Sequence, residues 1–244
     1  MEARTKLHFA RYEFKYLLPL ALRREVESEL RYFVDYDPFV ASCENHRYFV
    51  RSLYFDDPSC SAFYDKVDGL LSRSKFRLRT YTNELNEDVP RFLEIKGRHN
   101  NLVYKHRTPL AGSRHDNDSD IDKLILSQAE NSKVKDQFEY ALYRKALQPV
   151  AVVDYERRPY ISKYDPEFRL TFDEKLRGTL SNKLFPSKMD TARDLLVGYT
   201  VMEVKFRYHI PSWFHRIIMS YELRRVSISK ICEAMQVLKV AEDL

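Results

Sequence analysis

Residues 72–82 read SRSKFRLRTYT. In an extended chain successive side chains point to opposite faces, so Lys75, Arg77 and Arg79 share one side while Phe76 and Leu78 share the other. The same pairing of a charged face with an apolar face recurs along the sequence. Arg11, Glu13 and Lys15 align within residues 9–17, Glu94 and Lys96 within 90–97, and Lys105 and Arg107 within 102–109. Glu203, Lys205 and Arg207 align within 197–208, opposite Met202, Val204 and Phe206. Further strands are expected over 47–56, 149–157 and 167–174, the last two regions bringing Arg157 and Arg169. GRHNN between 90–97 and 102–109 reads as the turn of a hairpin.

A single charged strand face ordinarily meets water. Repeated over most strands of a flat sheet, such faces would form one large self-repelling field. If the sheet curls with the charged face inward, the interior becomes a cationic channel and the apolar faces are left for helices to cover, since inner and outer residues alternate in any barrel. Inward cations need anions to offset them. Glu13, Glu94, Asp173 and Glu203 supply a few. A long, thin, densely anionic ligand would supply the rest, and phosphate oxygens suit Arg forks and Lys point charges. The interspersed glutamates could hold Mg2+ or Mn2+ through oxygens shared with substrate phosphates.

Helical periodicity marks 19–34, where Leu22, Val26, Leu30 and Phe33 form a stripe, and a short helix is expected over 58–66. Further helices are expected over 119–128, 132–147, 211–223 and 227–240, with Pro19 and Pro211 at first turns and Ser227 or Ser229 as a cap. The fold class is α+β: a closed antiparallel β-barrel forming a tunnel, with helices packed outside, in a single domain over residues 1–244.

The composition excludes several alternatives. The chain has 244 residues, 44% of them hydrophobic and 32% charged, which speaks against extensive disorder. Five glycines include no glycine-rich nucleotide loop. Cys43, Cys60 and Cys232 fit neither a disulfide framework nor a zinc site, which suggests a reducing compartment. No signal-peptide core and no run of 18 apolar residues occurs, so the chain reads as soluble, cytoplasmic and without membrane insertion. A net charge of +5 does not by itself indicate nucleic acid. RNA readers usually expose aromatic stacking platforms, whereas these cations alternate with apolar residues.

Taken together, RYEFKY (11–16), SLYFDD (52–57), KFRLRTY (75–81), FLEIKG (92–97), VDYERRPY (153–160), RLTFDEKLRG (169–178), VMEVKF (201–206) and SISK (227–230) resemble the VTC (vacuolar transporter chaperone) polyphosphate polymerase domain of the triphosphate tunnel metalloenzyme superfamily. The resemblance covers about residues 9–237 through the order and spacing of these segments. It implies an antiparallel tunnel and an ATP-dependent polyphosphate polymerase, a phosphotransferase that moves the γ-phosphoryl group of ATP onto inorganic polyphosphate with Mn2+ or Mg2+. Matched by motif, Arg77, Arg79, Lys96, Lys105, Arg157, Arg169 and Lys205 would bind substrate phosphates. Arg11, Lys15 and Lys230 would act at the reacting phosphates, and Glu203 would bind the metal. Hydrolase and cyclase branches of the superfamily open with ExExK. Here Arg11 stands at the first glutamate, which favours phosphate grip over water activation. The alternatives are a metal-dependent tripolyphosphate or nucleoside triphosphate hydrolase, and a non-enzymatic binder of polyphosphate or inositol phosphates. Compared with eukaryotic vacuolar members, the chain reads as a stand-alone bacterial version.

Other constellations are weaker. His8, His46, His99, His106, His115, His209 and His215 show no HExxH pattern, and Cys60 and Cys232 have no evident activating neighbour. Asp116, Asp118 and Asp120 resemble a calcium string without the EF-hand glycine and glutamate. Tyr54, Tyr81 and Tyr155 suit strand packing as well as phosphate contact, and Trp213 beside Phe214 reads as core.

Overall fold

The period-two segments form strands and the 3.6-period segments form helices. In chain order these are β1 (Tyr12–Pro19), α1 (Leu20–Leu30), β2 (Val34–Tyr36), β3 (Tyr48–Asp56), α2 (Ser61–Val67), β4 (Ser72–Thr80), β5 (Phe92–His99) and β6 (Leu102–Pro109). There follow α3 (Ile121–Gln128), α4 (Lys133–Lys145), β7 (Gln148–Ser162), β8 (Arg169–Leu180), β9 (Arg193–Asp194), β10 (Tyr199–Phe206), α5 (Ser212–Ser220) and α6 (Lys230–Val237). The computed structural model describes residues 11–85, 89–100, 102–111 and 120–243. Residues 9 and 10 of the expected first strand, Asn101 of the expected turn, most of the acidic loop with Asp116 and Asp118, and His8 and His115 lie outside the described residues.

The strands form one ten-stranded sheet, ordered β1-β10-β8-β7-β3-β4-β5-β6, with β2 added to β7 and β9 to β8. Every ladder between described strands is antiparallel. The expected closed barrel needs correction. The path ends at β1 and β6, which share an isolated bridge between Arg11 and Val103 instead of a ladder, so hydrogen bonds do not close the sheet. The expected helix 19–34 also stops early: it ends at Leu30, and Val34–Tyr36 pair with β7 as β2.

Two apolar clusters coat the outer face. One joins Tyr16, Leu18, Phe172, Met202 and Val204 to Val26 and Leu30 of α1 and to Trp213, Phe214 and Ile217 of α5. The other joins Leu53, Phe55, Phe76, Leu78, Leu93 and Ile95 to Ile125 of α3 and Val134, Phe138 and Ala141 of α4. Phe138 is fully buried and meets Phe55 and Phe76 edge-on at 5.2 and 5.5 Å. Burying such a ring contributes about 1.5–3 kcal/mol.

A third cluster lies on the inner face and revises the expectation that all helices pack outside. Val50, Ala151, Val153 and Val201 meet Ile231, Ala234 and Met235 of α6 and Phe63 of α2. Gly178 makes the close approach of α6 possible, because a Cβ there would lie 3.0 Å from the Ala234 Cβ. Gly178 reaches this face because the β7–β8 register shifts between Asp154 and Glu156, while Lys175 takes a φ of 51°. The pattern therefore passes from Asp173, among the channel cations, to the apolar Leu176. α6 thus fills one end of the curled sheet.

Candidate functional site

The inner faces of β1, β3, β4, β5, β6, β7 and β10, with the segment leading into α6, enclose a cavity of about 910 Å³. It extends from Tyr48 and Tyr81 at one end to Gly69, Leu70 and Leu71 at the other. Its described lining contains fourteen Lys and Arg residues and two carboxylates, Glu13 and Glu203. Counting Glu94 and Asp173, which pair with lining cations, the formal surplus is ten positive charges, so the rest of the chain carries five more carboxylates than cations. The modest total charge conceals a strong segregation.

Cross-strand register builds the cationic rows. Lys75 stands opposite Lys96, and Lys96 opposite Lys105, so three lysines cross three strands. Arg77 stands opposite Glu94, which has no exposure to solvent. Glu94 accepts from Arg77 Nε and pairs with its Nη2, both at 2.7 Å, while Lys105 approaches its other oxygen and Arg79 lies 3.8 Å away. Arg77 Nη1 donates to the Tyr54 hydroxyl at 3.1 Å. Arg79 donates to Ser52 Oγ at 3.1 Å and to the Tyr155 hydroxyl at 3.2 Å. These partners fix both guanidinium planes.

A second group surrounds Asp173. Arg157 donates to both its oxygens at 2.6 and 2.7 Å, and Lys230 approaches at 2.6 Å. Both cations lie over the Tyr155 ring, at 5.2 and 4.9 Å. The third group is the Glu pair on β1 and β10. Lys96 donates to both oxygens of Glu13 at 2.8 and 3.1 Å, and Lys205 pairs with Glu203 at 2.5 Å. Lys15 pairs with Glu13 at 3.6 Å and donates to the Ile228 carbonyl at 2.9 Å. Ser229 is the N-cap of α6, but instead of capping the helix its hydroxyl accepts from Lys75 at 3.0 Å.

These surroundings shift the titrations. Burial and Glu203 push the Glu13 carboxyl up, but Lys96, Lys15 and Lys205 outweigh them and hold it down at about 2. Glu203 is likewise held well below the usual carboxylate range, because Lys205, Lys96 and Arg157 overcome its burial. Burial lowers Lys96 to about 8 despite Glu13, and Lys105 to about 7 despite Glu94. Burial would raise the Tyr54 phenol, yet Arg77 and Arg79 bring it down to about 7.

Ten of the eleven site residues expected from the sequence line the cavity: Arg11, Lys15, Arg77, Arg79, Lys96, Lys105, Arg157, Glu203, Lys205 and Lys230. Arg169 does not. It sits at the start of β8 with half its side chain exposed, 3.9 Å from Asp37, because a strand's first inward position lies at the rim. The sequence set lacked Lys75, although that residue shares the period of Arg77 and Arg79. It also lacked Arg73 and Arg98, which extend the same periods by one step, and Lys66 and Arg225, which lie outside the long strands and carry no such signal. The carboxylates of SLYFDD are structural. Asp56 accepts from the main-chain N–H groups of Ala62 and Phe63, and Asp57 from those of Ser59 and Ser61, so both serve the start of α2.

Among the described residues no group of three or more His, Cys, Asp or Glu could by itself hold a metal ion. Glu13 and Glu203 lie diagonally across β1 and β10, since Lys15 pairs with Glu203 and Glu13 with Lys205. Two carboxylates of this kind fit a hard divalent cation that takes its remaining oxygens from substrate phosphates and water.

Residues 10–239 match the family model described as VTC domain. No curated protein matches the chain. Among solved structures, the PH1819 protein from Pyrococcus horikoshii OT3 is similar at 12% identity, covering 91% of this chain and 96% of that one, with a TM-score of 0.45. The monoclinic form of the Mimivirus capping enzyme triphosphatase is similar at 9% identity over 87% and 89% of the two chains, with a TM-score of 0.37. These two overlaps are too slight to bear on function. The family match spans nearly the whole chain, and by it the protein belongs to the VTC-domain family.

Proposed function

We propose that this protein is a polyphosphate polymerase, transferring the γ-phosphoryl group of ATP to a growing inorganic polyphosphate chain within the cationic cavity. The observation that carries the reading is the lining itself: among the described residues, fourteen cations against two carboxylates, ten of the cations standing on strands of a VTC-domain fold. A linear phosphate chain is the anion that matches rows of Arg and Lys without requiring recognition of a base or ring.

Phosphoryl transfer depends on positioning and charge neutralisation more than on covalent chemistry by the protein. Arg77, Arg79, Lys96, Lys105, Arg157 and Lys205 grip the phosphates. Arg11, Lys15 and Lys230 hold the reacting γ-phosphate and the acceptor end in line. A terminal oxygen of the acceptor attacks the γ-phosphorus and the bond to the β-phosphate oxygen breaks, so no protein nucleophile is required. Glu203, with Glu13, would hold Mn2+ or Mg2+, which supplies charge neutralisation at the phosphate oxygens when bound. Arg11, where the hydrolase branches of the resembled superfamily carry glutamate, adds a phosphate-binding cation in place of a carboxylate.

A second reading, hydrolysis of tripolyphosphate or nucleoside triphosphate, is favoured by the diagonal pair Glu13 and Glu203, which could orient water beside a metal. Incubation with ATP and Mn2+, followed by sizing of the phosphate product, separates the two. Long phosphate chains support the polymerase. Orthophosphate without chains refutes it in favour of the hydrolase, and binding without turnover in any divalent metal leaves a polyanion-binding protein.

A further inference from the structure

The proposed transfer gives no task to Lys75 of β4 or to Ser229 at the start of α6, and these two side chains touch. Ser229 Oγ lies 3.0 Å from Lys75 Nζ, and both residues line the cavity. The hydroxyl is free for this contact because Ser229, although it is the N-cap of α6, makes no capping bond to the helix. A serine hydroxyl held at hydrogen-bond distance from a lysine amine is the nucleophile and general base of a Ser–Lys pair.

The neighbours of the pair decide what it meets. Lys230 follows Ser229 in the chain, and Lys15 donates to the carbonyl of Ile228, the residue before it. Ser229 is thus flanked on both sides by contacts of the lysines that hold the reacting phosphates in the proposed transfer. The segment is fixed in place without a ligand: the main-chain N–H of Val226 donates to the Lys15 carbonyl at 2.9 Å, and Arg225 bridges to Tyr16 of β1. The first N–H groups of a helix lack intrahelical partners, so the N-terminus of α6 favours a phosphate ester at its cap. Burial lowers the Lys75 ammonium from its usual range and Lys15 adds to this, while Cys232, Tyr54 and Asp56 pull the other way without cancelling it. A neutral Lys75 can receive the hydroxyl proton across the same contact.

From this juxtaposition we infer that Ser229 is a phosphoryl acceptor with Lys75 as its general base, and that the protein phosphorylates itself there when no polyphosphate end occupies the acceptor position. Ser229 Oγ forms a bond to the γ-phosphorus of ATP as the bond from that phosphorus to the β-phosphate oxygen breaks. The hydroxyl proton passes to Lys75 Nζ, and ADP leaves with the electron pair of the broken bond. The product is a phosphoserine at the N-terminus of α6. This inference rests on the reading of the cavity as a site of γ-phosphoryl transfer from ATP.

The test incubates the full chain with γ-labelled ATP and Mn2+ in the absence of polyphosphate, then denatures it and maps the label by peptide mass spectrometry. A parallel reaction with added polyphosphate is sized for chain growth. Wild type should carry an acid-stable, alkali-labile label, as a serine ester does, and fragmentation should assign it to Ser229 and not to Ser227. S229A should lose it. K75R keeps the positive charge and a donor for Ser229 but cannot take up a proton, so it should slow labelling by about 100-fold or more. A label on another residue, or K75R that labels at the wild-type rate, overturns the inference. So does unlabelled wild type that still lengthens added polyphosphate, an outcome that leaves the polymerase reading intact. Labelled Ser229 without chain growth supports the inference and refutes the polymerase. Wild type that neither takes up label nor turns over ATP overturns both.

Discussion

Replacing Glu94 with Gln removes one buried charge while keeping the side-chain shape. In the folded protein this carboxylate contacts two nitrogens of Arg77 at 2.7 Å, pairs with Lys105 and lies 3.8 Å from Arg79. It has no exposure to solvent, so water cannot take its place. Removing one partner of a buried ion pair typically costs about 3–5 kcal/mol, because the remaining charge is left uncompensated. For a chain of this size that corresponds to a fall in Tm of roughly 6–20 °C. Tripolyphosphate should return part of the loss, since its oxygens replace the missing anion, and a ligand at 100 times its Kd stabilises by about 2.7 kcal/mol. Differential scanning calorimetry of wild type and E94Q, with and without tripolyphosphate, gives both quantities. An unchanged Tm for E94Q would refute the claim that inward carboxylates hold the empty cavity together.

The remaining predictions concern individual groups. Arg77→Ala should lower turnover of ATP by about 2–5 kcal/mol, roughly 30- to 5,000-fold in kcat/KM, whereas the rim variant Arg169→Gln should stay within about 2-fold of wild type; equal losses would contradict the placement of Arg169 outside the cavity. Lys96 at about 8 and Lys105 at about 7 lose charge as pH rises, and a bound polyanion favours their protonated forms. Binding should therefore take up protons near pH 7–8 and weaken toward higher pH, which calorimetry in buffers of different ionisation enthalpy measures directly. Glu13 titrates at about 2 instead of 4.5, so it contributes about 3 kcal/mol above pH 4.5 that disappears as pH falls toward 2; Glu13→Gln should flatten that limb of the stability curve. A Cβ built on Gly97 would lie 1.9 Å from Tyr104 Cζ and 2.1 Å from its hydroxyl oxygen, so Gly97→Ala should cost about 1–3 kcal/mol in denaturant unfolding, and Tyr104→Ala in the same chain should relieve most of that cost.

The inward face of most of the site's strands was legible because its chemistry is periodic. Lys75, Arg77 and Arg79 announce an inner face by alternating with Phe76 and Leu78, and the structure places those apolar residues under α4. Glu13, Glu94, Asp173 and Glu203 could be named as the inward anions for the same reason, and each pairs with cavity cations. What period cannot convey is closure. Whether β1 meets β6 in a ladder depends on stagger around the whole sheet, and the structure gives an isolated bridge at Arg11 and Val103. Nor does a helical stripe reveal on which side of a sheet it packs. Ile231, Ala234 and Met235 of α6 lie on the inner face because the register shift in β7–β8 turns Gly178 inward. Arg169 misled for a related reason: it has the right parity but stands at the end of its strand, beyond the enclosed stretch.

The convergence of these cations on a phosphate chain is tested most directly by titrating the protein with inorganic tripolyphosphate at pH 7, alone and after Arg157→Gln. Arg157 is half-buried, donates to Asp173, lies over the Tyr155 ring and lines the cavity. Saturable binding at one site per chain, weakened about 30-fold or more by the substitution, is the expected result. Wild-type protein that fails to bind tripolyphosphate, or that binds it equally well without Arg157, would contradict the assignment of the cavity.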